Sequence, residues 1–184
     1  MVQCHKLHLK QRMVFCIMRI QSEKYVDQYI VDALFTLMKK KKYDDISITE
    51  ITSKAGVGRV SFYRNFNSKE DIVKKWIKDI TDHFLDTSNI NYKKDNTKEY
   101  FSKLFTHLEK YKEYAILIYK ANLTHLLKNE FENRILKIYE KEYGNYKSYF
   151  LSGGIFNVYY YWLMNGCKES PDAIANKLVD FMRK

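Results

Sequence analysis

The sequence has one proline and six glycines in 184 residues, too little punctuation for the many tight turns of an all-β chain. Its three cysteines, Cys4, Cys16 and Cys167, cannot all pair with one another. No disulfide framework is therefore expected, and a reducing cytoplasm is the expected setting. No apolar run reaches the roughly 20 residues that a membrane-crossing helix needs. The segment from Met13 to Met18 (MVFCIM) is short and lacks a small-residue cleavage site, so neither a membrane partner nor a signal peptide is expected. Motifs for chemistry are missing as well. The five histidines are scattered, and there is no H-E-x-x-H, paired C-x-x-C, nucleophile elbow or glycine-rich phosphate loop. Cys4, His5, His8 and Cys16 fall close together, but their spacing fits no common zinc pattern. An enzyme, a cofactor and a bound metal are not expected.

What is present is helix. With 46% hydrophobic and 29% charged residues the composition is that of an ordinary globular protein, and long Lys/Glu/Leu/Ile-rich stretches favour an all-α chain. The net charge of +10, from 32 basic and 22 acidic residues, permits a polyanionic partner. The excess is spread along the chain. Residues 1–21 hold Lys6, Lys10, Arg12 and Arg19 with no acid, and the rest of the surplus is shared between residues 22–76 and 77–184. Nucleic-acid binding would have to come from placement. Residues 1–21 read as an arm, a starting helix, or sequence upstream of a true start at Met13 or Met18.

From Ser22 a helical period sets in, with Val26, Ile30, Ala33, Leu34 and Leu37 on one stripe. Lys39 to Lys42 close it, where cations suit the C-terminal end of the helix dipole. Ser47 and Glu50 form an S-x-x-E capping box, with Ile46 and Ile51 as its hydrophobic staple, so a helix is expected over 48–55. Gly56 ends it. A short helix over 58–65 follows, then a further box, Ser68 with Asp71, that opens a helix carrying Ile72, Val73, Trp76, Ile77, Ile80 and Phe84 at helical spacing. Residues 86–96 are polar and turn-prone. Beyond them helices are expected over 97–111, 112–121, 124–142, 145–165 and 171–183, the last with Ser170 as N-cap and Pro171 at its first position.

A two-turn helix over 58–65 is marginal alone. Phe62 and Phe66 can anchor one side of it and leave Arg59, Val60, Ser61, Tyr63 and Arg64 free. Helix, tight turn and short helix with an exposed N-terminus is the geometry that enters a DNA major groove. The run from Ser47 to Ile72, "SITEITSKAGVGRVSFYRNFNSKEDI", resembles the helix-turn-helix of TetR/AcrR-type transcriptional regulators. The likeness rests on the Ala-Gly-Val turn, the aromatic-Tyr pair, Phe66 and the Ser-Lys-Glu ending, in that order. Gly58 departs from the usual Ser or Thr cap, and Val60 from the usual small residue.

The resemblance implies a sequence-specific regulator, a repressor, that binds a palindromic double-stranded DNA operator as a homodimer and is released by a small-molecule effector where one exists. It also implies three divisions: the arm at 1–21, a three-helix DNA-binding domain at 22–76, and a helical ligand-binding and dimerisation domain at 77–184, about nine helices in all. The competing reading is a coactivator or protein-interaction module of the same fold that reads no DNA.

Arg59 is the best candidate base reader, since a guanidinium at the start of a groove-inserted helix can pair bidentately with guanine. Thr49 and Val60 are secondary candidates, and Arg64 completes the set on the short helix. Ser47, Ser61 and Tyr63 offer hydroxyls to phosphates, although Ser47 could serve only as a cap and Tyr63 only as packing. Lys69 sits where the helix dipole disfavours a cation unless an anion is close. Glu70 and Asp71 supply one and a DNA phosphate would supply another, and the resemblance puts the family's phosphate-binding lysine here.

The second half is rich in aromatics at helical spacing, a core pattern. Its C-terminal part also looks like that of a TetR subgroup that includes dihydroxyacetone kinase regulators. His107, Tyr111, His125 and Tyr160, with apolar bodies and polar tips, are the candidates for an effector pocket. Gly153, Phe156, Tyr160, Leu163, Ile174, Leu178 and Phe181 are the candidates for a dimer interface along the last two helices.

Overall fold

The computed structural model describes residues 26–93 and 96–183. Every regular element among them is helical. Helix α1 occupies 26–38, followed by α2 (Ile48–Ala55), α3 (Arg59–Asn65), α4 (Lys69–Ser88), α5 (Thr97–Glu109), α6 (Lys112–Lys120), α7 (Thr124–Tyr143), α8 (Asn145–Met164) and α9 (Pro171–Arg183), with a 3-10 turn at Tyr43–Asp45 ahead of α2. The all-α expectation holds. The alternative starts at Met13 and Met18, and the cluster of Cys4, His5, His8 and Cys16, lie outside the described residues. The chain divides into two compact units with the boundary after Ile72, inside α4.

In the first unit the two ends of α2 and the start of α4 have local causes. The Ser47 hydroxyl accepts the Glu50 amide at 3.2 Å, and the Glu50 carboxylate accepts the Ser47 amide at 2.9 Å. This capping box satisfies two donors that the helix itself leaves orphaned. Ile46 and Ile51 are both buried. At the other end Gly56 takes φ 69°, the left-handed region that only glycine enters without strain. Its amide and that of Val57 close on Ser53 and Thr52 at 3.3 and 3.0 Å, a Schellman arrangement that ends α2 and redirects the chain into α3. Helix α4 begins where the Ser68 hydroxyl accepts the Asp71 amide at 3.1 Å. Ile30, Leu34, Phe35, Ile51, Phe62 and Phe66 belong to the interior of this unit, all buried.

In the second unit α5 packs along α9, α7 along α8, and α6 against α8. The core is dominated by large aromatics, with Phe105 edge-on to Trp162 at 5.2 Å. The buried Trp162 indole donates to the Glu169 carbonyl at 2.8 Å, so it carries no unsatisfied donor. Helix α8 runs unbroken through Gly153 and Gly154. Among the described residues no helix is long and apolar enough to cross a membrane.

Candidate nucleic-acid interface

Helix α3 has seven residues, too few to persist without support. Phe62, with 0% exposure, and Phe66 hold it to the interior, their ring centroids 6.0 Å apart. With that side fixed, Arg59, Val60 (74% exposed), Tyr63 and Arg64 face outward, and Ser61 is half-buried. The N-cap, Gly58, has no side chain to cover the leading turn. The first turn of α3 is thus open with a guanidinium at its tip.

Two of the candidates are joined directly. Arg59 Nη2 donates to Thr49 Oγ1, across the turn from α3 to α2. A long, freely rotating side chain is thereby pointed before any ligand arrives, which lowers the entropy lost when it is fixed in a complex. Tyr63 leans edge-on against Phe62 at 5.3 Å, so its ring is partly packing.

Two other candidates are more occupied than the sequence implies. The Ser47 hydroxyl also donates to Glu50 Oε2 at 2.9 Å, so both its roles are spent within the capping box. Glu50 accepts in addition from Lys41 Nζ at 2.6 Å. That bond, followed by those from Ser47, holds the Glu50 carboxyl down at about 2. Lys69 Nζ donates to the Tyr43 carbonyl at 2.8 Å, lies 3.4 Å from the Asp44 carbonyl and stands 4.5 Å over the Tyr43 ring. Its amine therefore clamps the start of α4 to the 3-10 turn. A partner 26 positions away leaves no trace in the local pattern, so the reading of Lys69 as a phosphate ligand alone is incomplete.

The second unit holds a cleft of about 670 Å³ between α4, α5 and α7, a size suited to a small organic ligand. Its apolar wall includes Phe84, Leu104, Phe131 and Ile135. Arg134 supplies the polar edge, bound to Asp82 and to Glu130 at 2.6 Å each. The Asp82 carboxyl lies below its ordinary range, first through its bond from Lys78 and then through Arg134. Burial pushes the Tyr100 hydroxyl up to about 12, while the nearby Arg134 charge acts in the opposite direction.

None of the four residues expected to form an effector pocket lines this cleft. His107 is buried with Nε2 2.9 Å from the Ile80 carbonyl, and burial lowers its pKa, which favours the neutral ring as donor. Tyr111 borders a separate void of about 50 Å³. His125 is exposed, and Tyr160 pairs its ring with Tyr119 at 5.5 Å. Phe131, which does line the cleft, reads in the sequence as core with the other aromatics of this half. The available signal was Glu130 and Arg134, oppositely charged and four residues apart on the helix that also supplies Phe131, Ile135 and Ile138 to the cleft.

The interface candidates need a similar correction. Phe156, Leu163, Ile174 and Leu178 are buried in the core of their own unit and have little surface left for a second chain. Gly153 and Tyr160 are half-buried, and Phe181 is exposed. The outward side of α8 instead carries Tyr146 (96% exposed), Phe150 (78% exposed), Gly154, Asn157 and Tyr161, spaced three and four apart on one face.

Comparison with known proteins bears on the family and the fold. Residues 30–75 match the family described as bacterial regulatory proteins, tetR family, and residues 95–184 match the transcriptional regulator C-terminal region of the same group. The chain is 24% identical over 168 residues to an uncharacterized HTH-type transcriptional regulator, YxbF, of Bacillus subtilis (strain 168). That match takes in 81% of this chain but 42% of the relative, so the chain spans less than half the length of the curated relative it matches. A crystal structure of a TetR transcriptional regulator from Streptococcus agalactiae 2603V superposes with a TM-score of 0.66 at 17% identity, over 90% of this chain and 98% of that one. At such identity the likeness is one of fold.

Proposed function

The chain belongs to the tetR family of bacterial transcriptional regulators, and we propose that it is a sequence-specific repressor that binds a palindromic operator as a homodimer in the cytoplasm. The observation that carries this reading is the open leading turn of α3, with Arg59 aimed by Thr49. Arg59 pairs with a guanine edge and Val60 meets a thymine methyl. Ser61, Tyr63 and Arg64 contact phosphates on either side. Lys69 sets the entry of α4 through its carbonyl contacts and offers its remaining donor to the backbone.

Two copies of α3 enter successive major grooves about 34–36 Å apart. The exposed face of α8, from Tyr146 to Tyr161, and Phe181 on α9 supply the apolar surface through which the chains pair. The effector is a small molecule with an apolar body and a hydrogen-bond acceptor, seated in the cleft beside Arg134 and Tyr100. Since α4 both lines that cleft and begins at Lys69, a ligand that displaces it biases the reading heads. The ligand acts only in so far as it binds the two arrangements unequally.

Titration of labelled duplex DNA over a range of salt, with sedimentation to count chains per duplex, tests the reading. Two chains per duplex and an affinity falling steeply with salt are expected. One chain per duplex, or binding indifferent to salt, contradicts it.

A further inference from the structure

A second concavity, of about 390 Å³, opens where the first turns of α5 and α8 meet the last turn of α9. Lys98, Lys147 and Arg183 line it, together with Thr97 and Tyr143, and among the described residues no carboxylate side chain does. Neighbouring lysines are neutralised: Lys103 pairs with Glu99 at 2.9 Å, and Lys177 with Glu169. By contrast Lys98, Lys147 and Arg183 are exposed and form no ion pair among the described residues, and Lys147 rests 4.9 Å over the Tyr143 ring.

Four helix ends meet at the same place, the starts of α5 and α8 and the last turns of α7 and α9. Neither α5 nor α8 has a side-chain cap, since Asn96 makes no cap bond and Gly144 has no side chain to make one. Their first-turn amides are left without an intrahelical partner, and the half positive charge at each start is offset by the half negative charge at the ends of α7 and α9. Helix α8 has no acid in its first turn. The surplus charge is that of Lys98, Lys147 and Arg183 themselves, which line one concavity and repel one another, and an anion between them relieves that repulsion. Arg183 and the lysines suit phosphate oxygens, Arg by a planar fork and Lys as point charges.

We propose that this concavity binds a phosphate monoester of a small polar metabolite. The phosphate sits among Lys98, Lys147 and Arg183, and the body of the ester lies against the Thr97 and Tyr143 side, whose hydroxyls bond to Tyr92. The site is separate from the α4–α5–α7 cleft, with which it shares no lining residue.

Calorimetric titration of the DNA-free chain, at fixed ionic strength set with chloride, tests the proposal with inorganic phosphate, glycerol 3-phosphate and glycerol as probes. Saturable binding of one phosphate per chain is expected, tighter for glycerol 3-phosphate and absent for glycerol. The double variant Lys98→Gln/Lys147→Gln should weaken both at least about tenfold, whereas Lys128→Gln/Lys168→Gln, which removes equal charge from elsewhere on the unit, should leave them unchanged. If the first pair loses its fold, Arg183→Gln at the exposed end of α9 must show the same weakening. Non-saturating heats, or equal losses in the two double variants, would mean that only the general positive charge is being sensed and would overturn the site.

Discussion

The unit ending at Ile72 and the unit that follows it assemble their functional groups in opposite ways. In the first, Ser47, Gly56 and Ser68 fix where α2 and α4 start and where α2 stops, so Arg59 is presented by its near neighbours in sequence. In the second, Asp82, Tyr100 and Arg134 come from α4, α5 and α7 and meet only after those helices pack. A site set by caps and a turn is written locally, whereas a cleft set by packing is written in no single stretch.

The largest test of that contrast is Phe62→Ala. Removing a fully buried aromatic costs about 3–5 kcal/mol, enough to release so short a helix. Urea unfolding followed by two probes should show the first unit melting early while the aromatic signal of the second persists. A single shared transition would mean that the units do not stand independently.

Arg59→Ala should come next. Loss of one bidentate contact costs about 1–3 kcal/mol of discrimination, or roughly five- to 150-fold weaker binding to the preferred duplex with little change on random DNA. Thr49→Val, which removes the acceptor but keeps the shape, should move affinity the same way by less. Equal losses on both duplexes for Arg59→Ala would reduce that residue to a phosphate contact.

The fold was legible where it is local. The capping box, the glycine turn and Pro171 were readable from spacing, and the expected helices fall within a few residues of those observed. The clamp from Lys69 to Tyr43 and the 3-10 turn that receives it were not readable, because they join residues 26 apart. Phe156, Leu163, Ile174 and Leu178 illustrate a second limit: periodicity identifies an apolar face without saying whether it turns toward its own core or toward another chain. Burial answers that, and it assigns them to the core.

A smaller effect is expected at the start of α2. Ser47→Ala removes the cap and should cost about 1 kcal/mol, visible as a lowered urea midpoint of the first unit only. Smaller still is the acid response of Glu50. Its carboxyl sits at about 2 in the folded chain against an ordinary 4.5, so the stabilisation is present above about pH 4.5 and fades as pH falls toward 2. In Lys41→Met the Glu50 titration followed by NMR should move upward. An unmoved midpoint would mean that the Lys41 bond contributes little.

The most direct measurement is selection of bound duplexes from a random pool, carried out on the native chain and on Arg59→Ala. Enrichment of an inverted repeat with half-sites about one helical turn apart, its guanine preference lost in the variant, is the outcome that follows from an α3 tip aimed at base edges. No enrichment, or the same repeat recovered by both proteins, would contradict it.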